Sequence, residues 1–110
     1  MMFGFAMQRR KMLEAELARL VEEMPPLGML RMWLTGDLAR GTVSVESGLE
    51  LVVVQDTDEP WRRREDFWTS HLRPRLAAQF YVFTPQEFDE LADSDPVLRR
   101  AMSEGEAVYG

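Results

Sequence analysis

The segment Leu49-Glu50-Leu51-Val52-Val53-Val54-Gln55 constrains this chain most. It is too continuously apolar for a strand with one wet face, where apolar and polar residues would alternate. It reads as a strand buried on both faces in the middle of a sheet, so other layers must cover that sheet above and below. Glu50 is the one charge inside the run. A carboxylate there is costly unless it lies at the edge of a site, pairs with a cation or binds one. Glu50 is therefore the residue that most needs a role.

The residues just upstream set up a second strand and a turn. Leu30 to Thr35, with Trp33 inside it, has strand composition. Gly36 follows, where a bend or close backbone approach is expected. Asp37 to Arg40 suits a short helical turn capped by Asp37 and ended by Gly41. Thr42 to Ser47 reads as an extended polar connection. Two strands joined by a glycine-bounded, partly helical loop can hold a phosphate against backbone N–H groups.

The flanking segments supply the covering layers. Leu13, Leu17, Leu20, Val21 and Met24 form one stripe of a helix over 7–24, with Glu14, Glu16, Arg19 and Glu22 on its other faces. Pro25-Pro26 ends it. Met1, Met2, Phe3, Phe5 and Met7 are apolar with no partner in this pattern, and such a cluster marks an interface if exposed. After an acidic loop over 56–60, a helix opening at Pro60 carries Trp61, Trp68 and Leu72 on one stripe, with Arg62, Arg63, Arg64, Glu65 and Asp66 toward water. Pro74 ends it. Ala77 to Phe83 reads as a third strand. Thr84-Pro85-Gln86-Glu87 then matches a capping box with proline at the first helical position. Ser94-Asp95-Pro96 opens a last helix that Gly105 stops, with Val108 and Tyr109 left for a terminal strand or a place in the core. The expected fold class is α/β (α+β): one domain over 1–110, with a small mixed sheet of three to four strands flanked by helices.

Composition removes several function classes. There is no cysteine, so neither disulfides nor thiolate metal sites are available. His71 is the single histidine, too little for a histidine-based metal site or a triad, and its polar surroundings suit a surface residue. The formal net charge of −6 argues against general nucleic-acid binding, despite the patches Arg9-Arg10-Lys11 and Arg62-Arg63-Arg64. No stretch approaches the ~20 apolar residues that span a bilayer, and the N-terminal residues are too few and poorly flanked for a signal peptide. A soluble, cytoplasmic protein without membrane partners is expected.

These segments together resemble the minimal branch of the nucleotidyltransferase superfamily, the polymerase-beta-like group. Gly36, Ala39, Arg40 and Gly41-Thr42 are similar to that family's loop. Ser47, Leu49 and Leu51 to Val54 are similar to its second strand, Phe83 to Phe88 to its third strand turning into a helix, and Leu98 to Tyr109 to its ending. The resemblance implies a nucleotidyltransferase fold, with Gly36, Asp37, Arg40 and Gly41 as the nucleotide-binding loop. It also implies three carboxylates holding two Mg²⁺ ions that bridge a nucleoside triphosphate and activate a hydroxyl.

The departures fall on those functional positions. Asp37 stands where the family has a phosphate-binding serine, and an acid repels a triphosphate. Gly48 stands at the first metal-ligand position, Glu50 at the second and neutral Gln79 at the third. Glu50 is then the remaining catalytic and metal residue. Asp37, Glu46, Glu50 and Asp56 could regroup, with Asp37 and Glu50 sharing a cation. The resemblance implies a degenerate member that binds a small helical protein of the HEPN type, as in toxin–antitoxin modules. The alternatives are an active Mg²⁺-dependent enzyme with an altered acidic site, and a structural homo-oligomer with no nucleotide role.

Overall fold

The computed structural model describes residues 2–110, with the side chains of Met1, Met2 and Phe3 outside the described set. The first helix, α1 (Met2–Glu23), starts earlier than its core stripe requires. A 3-10 turn at Pro25–Leu27 leads to β1 (Met29–Thr35). The short α2 (Asp37–Arg40) and a loop precede β2 (Leu49–Gln55). Then come α3 (Trp61–Leu72), β3 (Ala78–Phe83), α4 (Pro85–Leu91), α5 (Pro96–Glu104) and β4 (Glu106–Tyr109). The sheet is mixed, in the order β3-β2-β1-β4. β1 is antiparallel to both β2 and β4, while β2 and β3 run parallel. The α/β fold with a small mixed sheet is thus present, and the residues around Val108 and Tyr109 form its fourth strand.

β2 lies inside the sheet, as its composition demands. Leu49, Leu51 and Val53 join Leu13, Leu20, Trp68 and Leu72 on the face covered by α1 and α3. Val52 and Val54 join Trp33, Phe83, Phe88 and Leu98 on the opposite face, covered by α4 and α5. Burying a residue such as Leu51 or Val53 this way stabilises the fold by roughly 1.5–3 kcal/mol each. Buried Gln55, at the end of β2, accepts a 3.1 Å hydrogen bond from Trp68 Nε1. The α4 capping box forms, with Glu87 N donating to Thr84 Oγ1 and Thr84 N to the Glu87 carboxylate. Asp95 caps α5 by accepting from Val97 N and Leu98 N.

Two charged residues expected in water are buried. Arg64 donates to the carbonyls of Glu59 (2.9 Å) and Val82 (3.1 Å) and pairs with Glu87. Glu16 sits under Arg19 and accepts from the Arg75 N–H at 2.7 Å, tying α1 to the loop before β3. The Arg19 hydrogen bonds, then that of the Arg75 backbone, outweigh burial and hold the Glu16 carboxyl below the usual range. Glu65 is half-buried and accepts from Phe80 N at 2.8 Å. With Arg64 on Val82 O, α3 side chains thus occupy main-chain groups along the outer edge of β3.

Candidate functional site

Thr35, Glu50 and Gln79 lie side by side across β1, β2 and β3. The strand register pairs Thr35 with Glu50 and Glu50 with Gln79. Strand alternation places all three on the α4/α5 face, where β2 leaves the turn that follows β1. A groove of about 290 Å³ opens beside them, lined by Gly48, Leu49, Glu50, Ala77, Ala78 and Gln79. The sequence-predicted ligand positions 48, 50 and 79 therefore meet in one place.

Each has a definite environment. Glu50 is half-buried, and its carboxylate faces Arg100 Nη2 of α5 at 3.8 Å. Gly36 has φ +82°, and a Cβ there would overlap the Glu50 carboxylate, so the loop and Glu50 need each other's shape. Gln79 Oε1 accepts from Tyr81 Oη at 2.9 Å. The carbonyl of Ala77 accepts from Leu49 N at 2.8 Å, and this bond draws it against Gly48. A Cβ at position 48 would stand 2.6 Å from that oxygen and 3.0 Å from the Ala77 Cβ. Thr35 is buried beside Glu50, and its hydroxyl oxygen has no hydrogen-bond partner.

The loop closes on itself. Gly36, in a positive-φ conformation, precedes α2, and Asp37 does not cap the turn as expected. Its carboxylate instead accepts from Ser47 Oγ at 2.6 Å, Thr42 Oγ1 at 3.1 Å and Arg40 Nη2 at 3.0 Å. The Ser47 hydroxyl, and after it Thr42, hold the Asp37 carboxyl below the usual carboxylate range. Arg40 also reaches Glu104 of α5 at 3.5 Å. Ser47 Oγ accepts from Ser44 N, and Ser47 O from Arg9 Nε. Residues 42–47 therefore turn back on the loop instead of extending. Gly41 ends α2 in the left-handed conformation.

Asp37 and Glu50 thus have different cationic neighbours, Arg40 and Arg100. Among the described residues no group of three or more His, Cys, Asp or Glu side chains could hold a metal ion. His71 is exposed, its ring tilted against that of Phe67, with Nδ1 2.7 Å from the Phe67 carbonyl. No helix among the described residues is long and apolar enough to cross a membrane. Sequence reasoning missed the Thr35 hydroxyl, the Arg100 cation and the Ala77 carbonyl over Gly48. For Arg100 the α5 stripe held a signal: with Leu98 and Ala101 inward, position 100 flanks the buried face.

Neither family models nor curated proteins match the chain. Among solved structures it is similar to that of a "putative nucleotidyltransferase" from Sulfolobus solfataricus. The match has 12% identity, a TM-score of 0.54, and covers 96% of this chain and 83% of that one. At that identity the likeness speaks to architecture, and the chain has a nucleotidyltransferase-type fold.

Proposed function

We propose that this protein uses a nucleotidyltransferase fold without two-metal chemistry and acts by binding another protein. The partner it suits is a small helical protein of the HEPN type, which it would neutralise by contact in the manner of an antitoxin. The observation that carries the reading is the crowding of Gly48 by the Ala77 carbonyl. A side chain, and so a carboxylate, is excluded at the first ligand position unless the β2–β3 junction shifts. The rest of the donor set supports the same conclusion. Mg²⁺ takes a near-octahedral shell of oxygen ligands and bridges carboxylates to substrate phosphates. Glu50 offers one carboxylate, already facing Arg100, and Gln79 is neutral. These residues do not fit a pair of Mg²⁺ ions. Asp37 stands at the position that the resemblance gives to a phosphate-binding serine, and its carboxylate, engaged by Ser47, Thr42 and Arg40, offers a phosphate no hydrogen-bond donor.

The test has two arms. Incubation with radiolabelled ATP and Mg²⁺ or Mn²⁺, alone and with a co-expressed small helical protein of the HEPN type, should give no transfer of label. Metal-dependent labelling that vanishes in Glu50→Ala would establish the active-enzyme alternative instead. In the second arm the two proteins should co-purify, and the helical protein's toxicity should be relieved equally by wild type and Glu50→Ala. Relief that requires Glu50 would overturn the contact mechanism.

A further inference from the structure

Glu50 stands apart from the other carboxylates that the fold shields from water. Glu16, Asp37, Glu65, Glu87 and Asp95 each accept hydrogen bonds from side chains or main-chain amides. Glu50 is only 28% exposed, yet among the described residues no donor lies within hydrogen-bond distance of its carboxylate; Arg100 Nη2 stands off at 3.8 Å. Its cross-strand neighbour Thr35 carries the one buried side-chain polar atom that lacks a partner among the described residues. Unmet polar groups are costly to bury. Two of them side by side, at the mouth of a groove, mark a place where a ligand belongs.

The groove beside Glu50 offers mainly acceptors. The Gln79 Oε1 has taken one donor, from Tyr81, and the Ala77 carbonyl one, from Leu49 N, so each keeps a free lone pair. Gln79 Nε2 is the one side-chain donor on its walls. Gly48, Ala77 and Ala78 contribute no long side chain, which leaves room for a flat group. Arg100 shows which group suits the carboxylate. The fold already draws a guanidinium toward Glu50 but holds it at the rim, 43% exposed, where charge is met and hydrogen bonds are not. A guanidinium entering from the groove sets two parallel N–H groups on the two carboxylate oxygens. It carries no lone pair to oppose the remaining acceptors.

We propose that the groove at Glu50 binds a small guanidinium compound, ion-paired with Glu50 and bordered by Gln79 and the Ala77 carbonyl, with Arg100 as an internal competitor for the same carboxylate. The groove, about 290 Å³, is of a size for a small ligand. The formal net charge of −6 favours the arrival of a cation. This ligand is not the protein partner, so the site stands or falls separately from that reading.

Titration of the ¹⁵N-labelled full chain with methylguanidinium, followed by amide chemical shifts, should give saturable binding with a Kd of about 1–10 mM and shifts centred on Glu50 and Gln79. Tetramethylammonium, which has the charge and no N–H, should not saturate, and Mg²⁺ should not compete. Glu50→Gln should weaken binding by about tenfold or more, while Glu46→Gln, at an exposed acid outside the groove, should leave it unchanged. Arg100→Met should tighten it about two- to fivefold by removing the competitor, and Arg99→Met should not. Circular dichroism checks each variant, and if Glu50→Gln fails to fold, the contrast between Arg100→Met and Arg99→Met decides. No saturable shift up to roughly 50 mM, equal binding of tetramethylammonium, indifference to Glu50→Gln, or weaker binding in Arg100→Met would overturn the proposal. Competition by Mg²⁺ would overturn it in favour of an inorganic cation.

Discussion

Gly48→Ala is a substitution whose sign discriminates between two physical accounts. Glycine to alanine in an ordinary extended segment stabilises by about 0.4–1 kcal/mol, because the unfolded chain has fewer states to lose. Gly48 has no positive φ, so no backbone strain opposes the change. Sterics do: the new Cβ would lie 2.6 Å from the Ala77 carbonyl oxygen, which is held by the Leu49 N–H. Relieving that contact means parting the start of β2 from β3, at a cost of about 1–3 kcal/mol by analogy with overpacked cores. The steric term is the larger, and a net loss of about 1–2 kcal/mol is expected. Urea unfolding, followed by tryptophan fluorescence, measures it. Ala77→Gly should recover only part, since the carbonyl remains. A neutral or stabilising Gly48→Ala would refute the argument and reopen the first ligand position. The combined Gly48→Asp, Glu50→Asp, Gln79→Asp variant should accordingly be destabilised, and calorimetry should detect no Mg²⁺ binding.

Thr35→Val should raise stability by about 1 kcal/mol, read as a higher urea midpoint, because it replaces a buried, unpartnered hydroxyl with an apolar isostere; a loss would mean that the hydroxyl has a partner. Arg64→Met should cost about 2–4 kcal/mol in the same assay by stranding the Val82 and Glu59 carbonyls and Glu87, whereas Arg62→Met and Arg63→Met should fall within about 0.5 kcal/mol of wild type. Glu16, Asp37 and Glu87 all have carboxyls held below their ordinary range, so their contribution to stability is complete above the unfolded carboxylate pKa. It is lost as pH falls through the lower folded values; Glu16→Gln should flatten the acid limb of stability against pH, and an unchanged limb would remove Glu16 from this account.

The strands were legible because composition dictates them: a run such as Leu49 to Val54 has few places to go but the middle of a sheet. The capping box at Thr84 and the proline stops were legible because they act within a few residues. What escaped was decided by groups far apart in sequence. Asp37 looks like a cap until Ser47, ten residues on, offers a better donor. Gly48 looks like a lost acid until the Ala77 carbonyl arrives from just before β3. Arg64 and Glu16 escaped for a different reason. Arg64 falls on the stripe of Trp61, Trp68 and Leu72, and Glu16, assigned to another face of α1, in fact borders that of Leu13 and Leu20. Their positions pointed inward while their charge pointed to water, and in both cases hydrogen bonding let position prevail.

The side chains that α3 lays along β3 have a consequence for solubility under stress. Phe80-Tyr81-Val82-Phe83 is aromatic and β-branched, uncharged and free of proline, the kind of segment that recruits like strands into aggregates when its edge is bare. Arg64 on the Val82 carbonyl and Glu65 on the Phe80 amide deny that edge to another chain. α3 is therefore a gatekeeper as well as a core helix. A change that frees Arg64 or Glu65 from β3 would bare that edge and favour aggregation.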